Sequence, residues 1–280
     1  MANRKYGQNC GRALEQGMIG GINGVLKKPV HKVAVVIPIY QSEFNQYEKI
    51  SLDRCFHVLS QHPIIVIKPA QLDVSYLIGK GYEFQTLDFP DECFKSVESY
   101  NQMLLSRCFY ESFLDFKYIL IYQTDAFVFR DDLLKWCETG FDYIGAPWLG
   151  ETWPLLPRTK LEKLLSRTRF THSLLKPKIV GNGGFSLRKI RSSIIARMLL
   201  SGLAEKYHVN EDVYWSLDVP RRLPFFKVPD FKVAVDFSFE LEPRNAMKLN
   251  NERLPFGCHA WEKWDMDFWR PYFRELGYEI

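Results

Sequence analysis

From residue 32 to residue 40 the chain reads KVAVVIPIY, apolar and β-branched at almost every position, without the alternation of a half-exposed strand. Such a run predicts a strand buried on both faces, as in a parallel sheet. Pro38 ends its ladder pairing or lies at the strand's edge. Residues 45–60 place Leu52, Cys55, Phe56 and Leu59 at helical spacing, and HPIIVIKP at 62–69 predicts a second buried strand. Strand, helix, strand is the unit of an α/β fold. YEFQTLDF at 82–89 reads as a further strand, and 97–116 as one long helix with apolar positions three and four apart. KYILIYQTDAFVF at 117–129 is a buried strand leading into a turn and a strand-like piece, and 133–147 gives helix, glycine break and short strand. The expectation up to Pro147 is a βαβαβ pattern with right-handed crossovers.

The second half is less regular. Residues 151–178 are rich in Leu, Arg, Lys and Thr and read as an amphipathic helix or a flap. KIVGNGGFSL, a helix over 188–201 and NEDVYWSLDV follow, and FKVAVDFSFEL alternates only weakly. Residues 1–30, glycine-rich and polar, read as a tail with little to bury. Nothing repeats at a fixed period. The organisation expected is one α/β domain over 31–280 with a mostly parallel central sheet and an irregular, aromatic-rich C-terminal half.

Composition narrows the classes. The 280 residues carry 46% hydrophobic and 15% aromatic side chains, which excludes a disordered or low-complexity chain. A net charge of +4 is too weak a field for a dedicated nucleic-acid binder. No apolar run reaches bilayer-spanning length. The six cysteines are dispersed with no CxxC pair, and are expected to be reduced thiols in a cytoplasmic protein.

In open α/β sheets ligands bind beyond the carboxyl ends of the strands. That directs attention to Pro38 and Tyr40, to Lys68, to Gln123–Thr124–Asp125 and to the glycine turn 181–184. GxGxxG after the first strand, GxxxxGK[ST], GxSxG and HExxH are all missing, which disfavours dinucleotide, P-loop, serine-hydrolase and zincin chemistry. Asp125 leaves a buried strand directly, where a carboxylate either holds Mg²⁺ or Mn²⁺ or caps a turn. Gln123 adds a neutral oxygen or a polar sheet edge. The GNGG turn permits close backbone approach to a ligand, or is a tight turn only. Glu211 and Asp212 are adjacent, a pairing that raises one carboxyl's pKa and suits base chemistry. They equally suit a helix start with Asn210 as its cap. Among the histidines His259, in FGCHAW, is the best metal or phosphate candidate. Lys68 and Arg188 are the cations available to neutralise a diphosphate if no metal does so.

Taken in order, LIYQTDAFVF, FDYIGAPW, VGNGGFSLRK, NEDVYW and the late CHAW resemble a bacterial domain-of-unknown-function family related to glycosyltransferases of the GT-A fold, over roughly residues 33–262. The resemblance implies a nucleotide-sugar half at 31–150 and an acceptor half at 151–280. It implies transfer from a nucleoside diphosphate sugar to a hydroxyl of a saccharide or lipid-linked acceptor, with inversion, in cell-envelope polysaccharide synthesis. The metal motif Asp-x-Asp is reduced here to Gln123-Thr124-Asp125, so only Asp125 carries over, with His259 completing a Mn²⁺ or Mg²⁺ site. Gly183 and Gly184 would lie under the donor sugar, Pro38 and Tyr40 at the nucleotide, and Asp212 would be the catalytic base. The rival activities are nucleotidyl or phosphoryl transfer with the same metal–diphosphate geometry; the rival without catalysis is a sugar-binding protein that lost Asp-x-Asp. The cytosolic donor implies a cytoplasmic location, with peripheral contact at the inner membrane face through the basic stretch 159–178.

Overall fold

The computed structural model describes residues 28–149, 180–205 and 207–280. The tail and the stretch 151–178 therefore lie outside the described residues, apart from the tail's last three positions. The apolar runs become the centre of a six-stranded sheet: β1 (His31–Pro38), β2 (Ile64–Pro69), β3 (Gln85–Phe89), β4 (Phe116–Tyr122), β6 (Tyr143–Ile144) and β7 (Phe185–Lys189), in the order β3-β2-β1-β4-β7-β6. β1, β2, β3 and β4 pair in parallel, whereas β7 runs antiparallel to both β4 and β6. The sheet is mixed and mostly parallel, in a single α/β domain.

Burial on both faces explains the unalternated sequence of β1. Val33, Val35 and Ile37 face one core, with Leu52, Cys55 and Phe56 of α1 (Gln46–Val58). Ala34 and Val36 face the other, with Met103, Leu104 and Leu105 of α2 (Val97–Leu105). Each such aliphatic side chain contributes about 1.5–3 kcal/mol on burial, and an exposed face would forfeit half of that set. α1 starts where expected, on a capping box between Asn45 and Glu48.

The single long helix expected over 97–116 is two. α2 stops at Ser106, whose backbone is extended (φ −76°, ψ 145°), and α3 (Arg107–Glu111) begins there. The Ser106 hydroxyl accepts from the Phe109 N–H at 3.1 Å. Serine offers the backbone this local bond, so it favours a cap over a helix interior. The helix expected over 188–201 is shortened for a related reason. Residues 188 and 189 finish β7, and α5 covers Ile190–Leu199, after α4 (Leu133–Glu138). The weak alternation near 231–241 resolves into α7 (Phe231–Phe237), following α6 (Glu211–Val213), and a two-residue strand.

A second sheet was not legible in the sequence. β5 (Ala126–Val128), β8 (Ser238–Phe239) and β9 (Gly257–His259) form it in the order β5-β9-β8. A third core covers it: Phe127, Phe239, Trp261, Trp269 and Phe273, partly from α8 (Met266–Glu275). The C-terminal aromatics are thus mostly packing. Cys55, Cys137 and Cys258 are free, buried thiols, as expected, whereas Cys93 is disulfide-bonded, which corrects the expectation of reduced thiols throughout. Among the described residues no helix is long and apolar enough to cross a membrane.

Candidate active site

The strands of the small sheet bring three charged side chains together. Asp125 immediately precedes β5, and Ala126 pairs with His259 at the end of β9. On the other side of β9, Phe239 of β8 pairs in parallel with Cys258, so Glu240 comes beside His259. The imidazole is held from both sides: Nε2 lies 3.0 Å from Asp125 Oδ1 and 3.1 Å from Gln123 Oε1, and Nδ1 lies 3.1 Å from Glu240 Oε1. Lys263 donates to Asp125 Oδ2 at 2.8 Å. Burial opposes a charge on His259, but Asp125 and Glu240 outweigh it and raise the pKa to about 10. Burial likewise opposes the Asp125 carboxylate, and His259 and Lys263 more than offset it, holding Asp125 well below the usual range.

The GNGG turn lies directly against this group. A Cβ at Gly184 would stand 2.0 Å from His259 Nε2 and 2.6 Å from Gln123 Oε1; one at Gly183 would stand 2.1 Å from Glu211 Oε1. Both positions are glycine because side chains approach their Cα atoms. Asn182 adopts a left-handed conformation (φ 60°) and accepts from the Gly184 N–H through Oδ1 at 2.9 Å. Its Nδ2, buried, has no hydrogen-bond partner among the described residues.

Glu211 and Asp212 divide the work that adjacency suggested. Glu211 is buried and both its oxygens are taken by Arg188, at 2.7 Å each. Arg188 is therefore no free cation for a diphosphate; it is 1% exposed, under the sheet. Asp212 is half-buried, and its Oδ1 accepts from the Val213 N–H at 2.8 Å. Burial first, then the charges of Glu211 and Glu240, lift its pKa to about 7, against the lowering effect of the Val213 N–H and Arg188. Asn210 does occupy the N-cap position of α6, but its side chain makes no capping bond. The chain continues into a wide π-helical turn at Tyr214–Asp218, a feature frequent at functional sites.

The remaining candidates are spread along the same edge. Pro38 is the buried last residue of β1, and Tyr40 is exposed two residues on, within electrostatic reach of Asp125 and Glu48. Lys68 stands apart from the cluster: its ammonium meets Asp88 at 2.9 Å and the carbonyls of Pro69 and Ala70 at 3.3 Å. A cavity of about 290 Å³ lined by Phe44, Tyr76 and Tyr82 contains none of the cluster residues. A more open depression of about 470 Å³ borders it through Lys263 and Glu262. Sequence reasoning missed Glu240 and Lys263, which carry no motif of their own.

Among the described residues no group of three or more His, Cys, Asp or Glu side chains is arranged to hold a metal ion. Asp125, His259 and the neutral Gln123 are the side chains here that could hold one. The contacts of 3.0 and 3.1 Å at Nε2 are hydrogen bonds of the protonated ring, so an ion would take the place of that proton. One carboxylate and one amide oxygen are ligands of the kind Mn²⁺ and Mg²⁺ take, and the imidazole adds a nitrogen that Mg²⁺ accepts less readily. For that role Nε2 must be without its proton.

The model of a family described as protein of unknown function, DUF5672, matches residues 83–259. No curated protein sequence matches the chain. Among solved structures it is similar to the apo form of mouse xyloside xylosyltransferase 1, at 12% identity and a TM-score of 0.46 over 81% of this chain and 97% of that one. It is similar to the galactosyltransferase LgtC with donor and acceptor sugar analogues, at 12% and 0.47 over 81% and 86%. It is also similar to the glycosyltransferase GlyE of Streptococcus pneumoniae, at 14% and 0.46 over 82% and 54%. At these values the likeness is one of chain trace and brings no residue role with it.

Proposed function

The chain belongs to the DUF5672 family, and we propose that it is a glycosyltransferase moving a sugar from a nucleoside diphosphate sugar to a hydroxyl acceptor with inversion. The observation that carries the reading is the convergence of two polar groups on one glycine turn. His259, Gln123, Asp125 and Lys263 form one; Glu211 and Asp212, a carboxyl with a pKa near 7, form the other. The bare backbone of Gly183 and Gly184 lies between them, against Glu211 and His259.

Asp212 takes the proton of the acceptor hydroxyl as its oxygen attacks the anomeric carbon. The bond from that carbon to the diphosphate oxygen breaks, and the nucleoside diphosphate leaves with the electron pair. A carboxyl titrating near 7 is ionised in a large share of molecules at neutral pH and still basic enough to accept a proton. Lys263 moves its ammonium from Asp125 to the leaving diphosphate, where negative charge develops. Asp125, His259 and Gln123 would hold Mn²⁺ or Mg²⁺, which supplies further charge neutralisation at the diphosphate. Glu211 anchors Asp212 by its ion pair with Arg188. Pro38, Tyr40 and Lys68 belong to the nucleotide side of the edge. A cytoplasmic location, peripheral contact with the inner membrane face and a saccharide or lipid-linked acceptor in envelope polysaccharide synthesis complete the proposal; these rest on the sequence resemblance.

Gln123 in place of a carboxylate supports a second reading, a sugar-binding protein without turnover. Incubation with a panel of nucleoside diphosphate sugars and Mn²⁺ separates the readings. Release of free nucleoside diphosphate, lost in Asp212→Asn with donor binding retained, is the expected result. Pyrophosphate among the products would indicate nucleotidyl transfer instead. Binding of donor with no release by the parent protein would establish the second reading, and unchanged turnover in Asp212→Asn would remove the base from Asp212.

A further inference from the structure

Glu240 belongs to none of the sequence motifs, yet the strand register delivers it to the site. β8 pairs in parallel with β9 through Ser238 with Gly257 and Phe239 with Cys258, and the next step of that ladder sets residue 240 beside residue 259. The Glu240 carboxylate is 3.1 Å from His259 Nδ1, with side-chain exposures of 16% and 12%. Among the described residues it makes no other hydrogen bond. A half-buried carboxylate needs a reason to be there, since desolvating it has a cost that its partner must offset. A two-residue strand whose Phe239 packs against Trp269 would be served equally well by an apolar successor.

The imidazole supplies that reason. A histidine ring has two nitrogens, and whichever is tied down decides what the other presents. With Nδ1 donating to Glu240, the ring cannot rotate without breaking that bond, and Nε2 is left facing Asp125 Oδ1 and Gln123 Oε1. The backbone cooperates, because a Cβ at position 184 would collide with Nε2. Gly184 therefore leaves the ring room, and Glu240 fixes its orientation within that room. We propose that Glu240 is the positioning carboxylate of the site, holding the His259 ring through Nδ1 so that Nε2 addresses the Asp125–Gln123 notch. This rests on the notch being the donor end, but its test does not need turnover.

Histidine-selective ¹⁵N labelling gives the signature. In the parent protein the His259 Nδ1–H should appear as a downfield, slowly exchanging proton, identified by its loss in His259→Asn. Glu240→Ala should lose it to solvent exchange. Glu240→Gln, which retains an accepting oxygen, should keep it at a less downfield position. Titration with Mn²⁺ alone should then show affinity about 10–100-fold weaker in Glu240→Ala, with Glu240→Gln closer to the parent. The rescue by glutamine separates orientation of the ring from simple bulk, and if Glu240→Ala does not fold, the glutamine variant's shift decides. An Nδ1–H signal and Mn²⁺ affinity both unchanged in Glu240→Ala would overturn the proposal. A parent protein that takes up no Mn²⁺ would overturn the ion reading instead, with the proton signal still deciding on Glu240.

Discussion

Removing the charge of Glu211 alone is expected to consume a large part of the protein's stability. Arg188 and Glu211 meet in a two-pronged pair at 2.7 Å, with side-chain exposures of 1% and 3%. The other groups around the guanidinium are neutral: Ser186 Oγ at 3.0 Å, Tyr110 Oη and the Gly183 carbonyl at 3.2 Å, and the Tyr143 ring at 5.3 Å. They solvate the cation but carry no balancing charge, and the carboxyl of Asp212, which Arg188 also attracts, makes no contact with the guanidinium that would replace the two-pronged pair. In Glu211→Gln the shape persists and the anion does not, so a buried guanidinium is left uncompensated. Breaking a buried pair from one side costs about 3–5 kcal/mol, against a total of about 5–15 kcal/mol for a folded domain. Urea unfolding of Glu211→Gln, Arg188→Met and the double variant measures it. Each single variant should lose about that amount, and the double variant should lose less than their sum, because it orphans no charge. A cost below about 1 kcal/mol for Glu211→Gln would refute the reasoning. The same experiment bears on chemistry: Glu211's charge helps raise the Asp212 pKa, so the activity of this variant should fall further than its folded fraction and its pH profile should move to lower pH.

Asp212→Asn should be more stable than the parent in alkaline solution. Burial, then Glu211 and Glu240, raise the Asp212 pKa to about 7, so the folded protein keeps a proton that the unfolded chain releases above about pH 4. Such a group loses stability as pH rises from its unfolded pKa through its folded one. Melting temperatures should therefore coincide near pH 4 and diverge in favour of the variant by pH 8; a pH-independent gap would show that the carboxyl is not perturbed. Gly184→Ala would put a methyl 2.0 Å from His259 Nε2 and 2.6 Å from Gln123 Oε1. It should cost about 1–3 kcal/mol and abolish Mn²⁺ uptake measured by calorimetry, and full uptake would contradict the close approach.

The sheet centre was readable because its strands are buried on both faces and so cannot alternate. β1 and β4 are apolar almost throughout, and no helix of that composition would be so short. The break at Ser106 was not readable from periodicity, since apolar residues continue at helical spacing across it; only the capping preference of serine marks it. Motif reading singled out Asp125, Gly183, Gly184, Asp212 and His259, which the fold sets near one glycine turn, because each lies at an abrupt change from apolar run to turn. Arg188 was misjudged as an available cation, yet the strand itself held the warning. Phe185 and Leu187 face one core, so Ser186 and Arg188 point to the opposite, equally buried side, where a charge demands a partner. The acidic pair nearby was the natural one.

Glu240 and Lys263 escaped for a different physical reason. Their position depends on strands of two and three residues, too short for any period to register. What holds those strands in place is the aromatic core around Phe127, Trp261, Trp269 and Phe273 rather than their own ladder bonds. Aromatic side chains that read as generic filling are thus the reason three charges meet. Along β9 Cys258 faces the aromatic core and His259 the notch, while along β5 Phe127 faces the aromatic core and Ala126 and Val128 pack into the core under α1. A strand slip of one residue would exchange those roles, burying His259 among rings and exposing Cys258. The hydrophobic demand of the C-terminal third therefore sets the register, and the register sets which charged residues share the edge. The arrangement of this site is specified as much by Phe127 and Trp269, buried away from it, as by the motif residues that announce it.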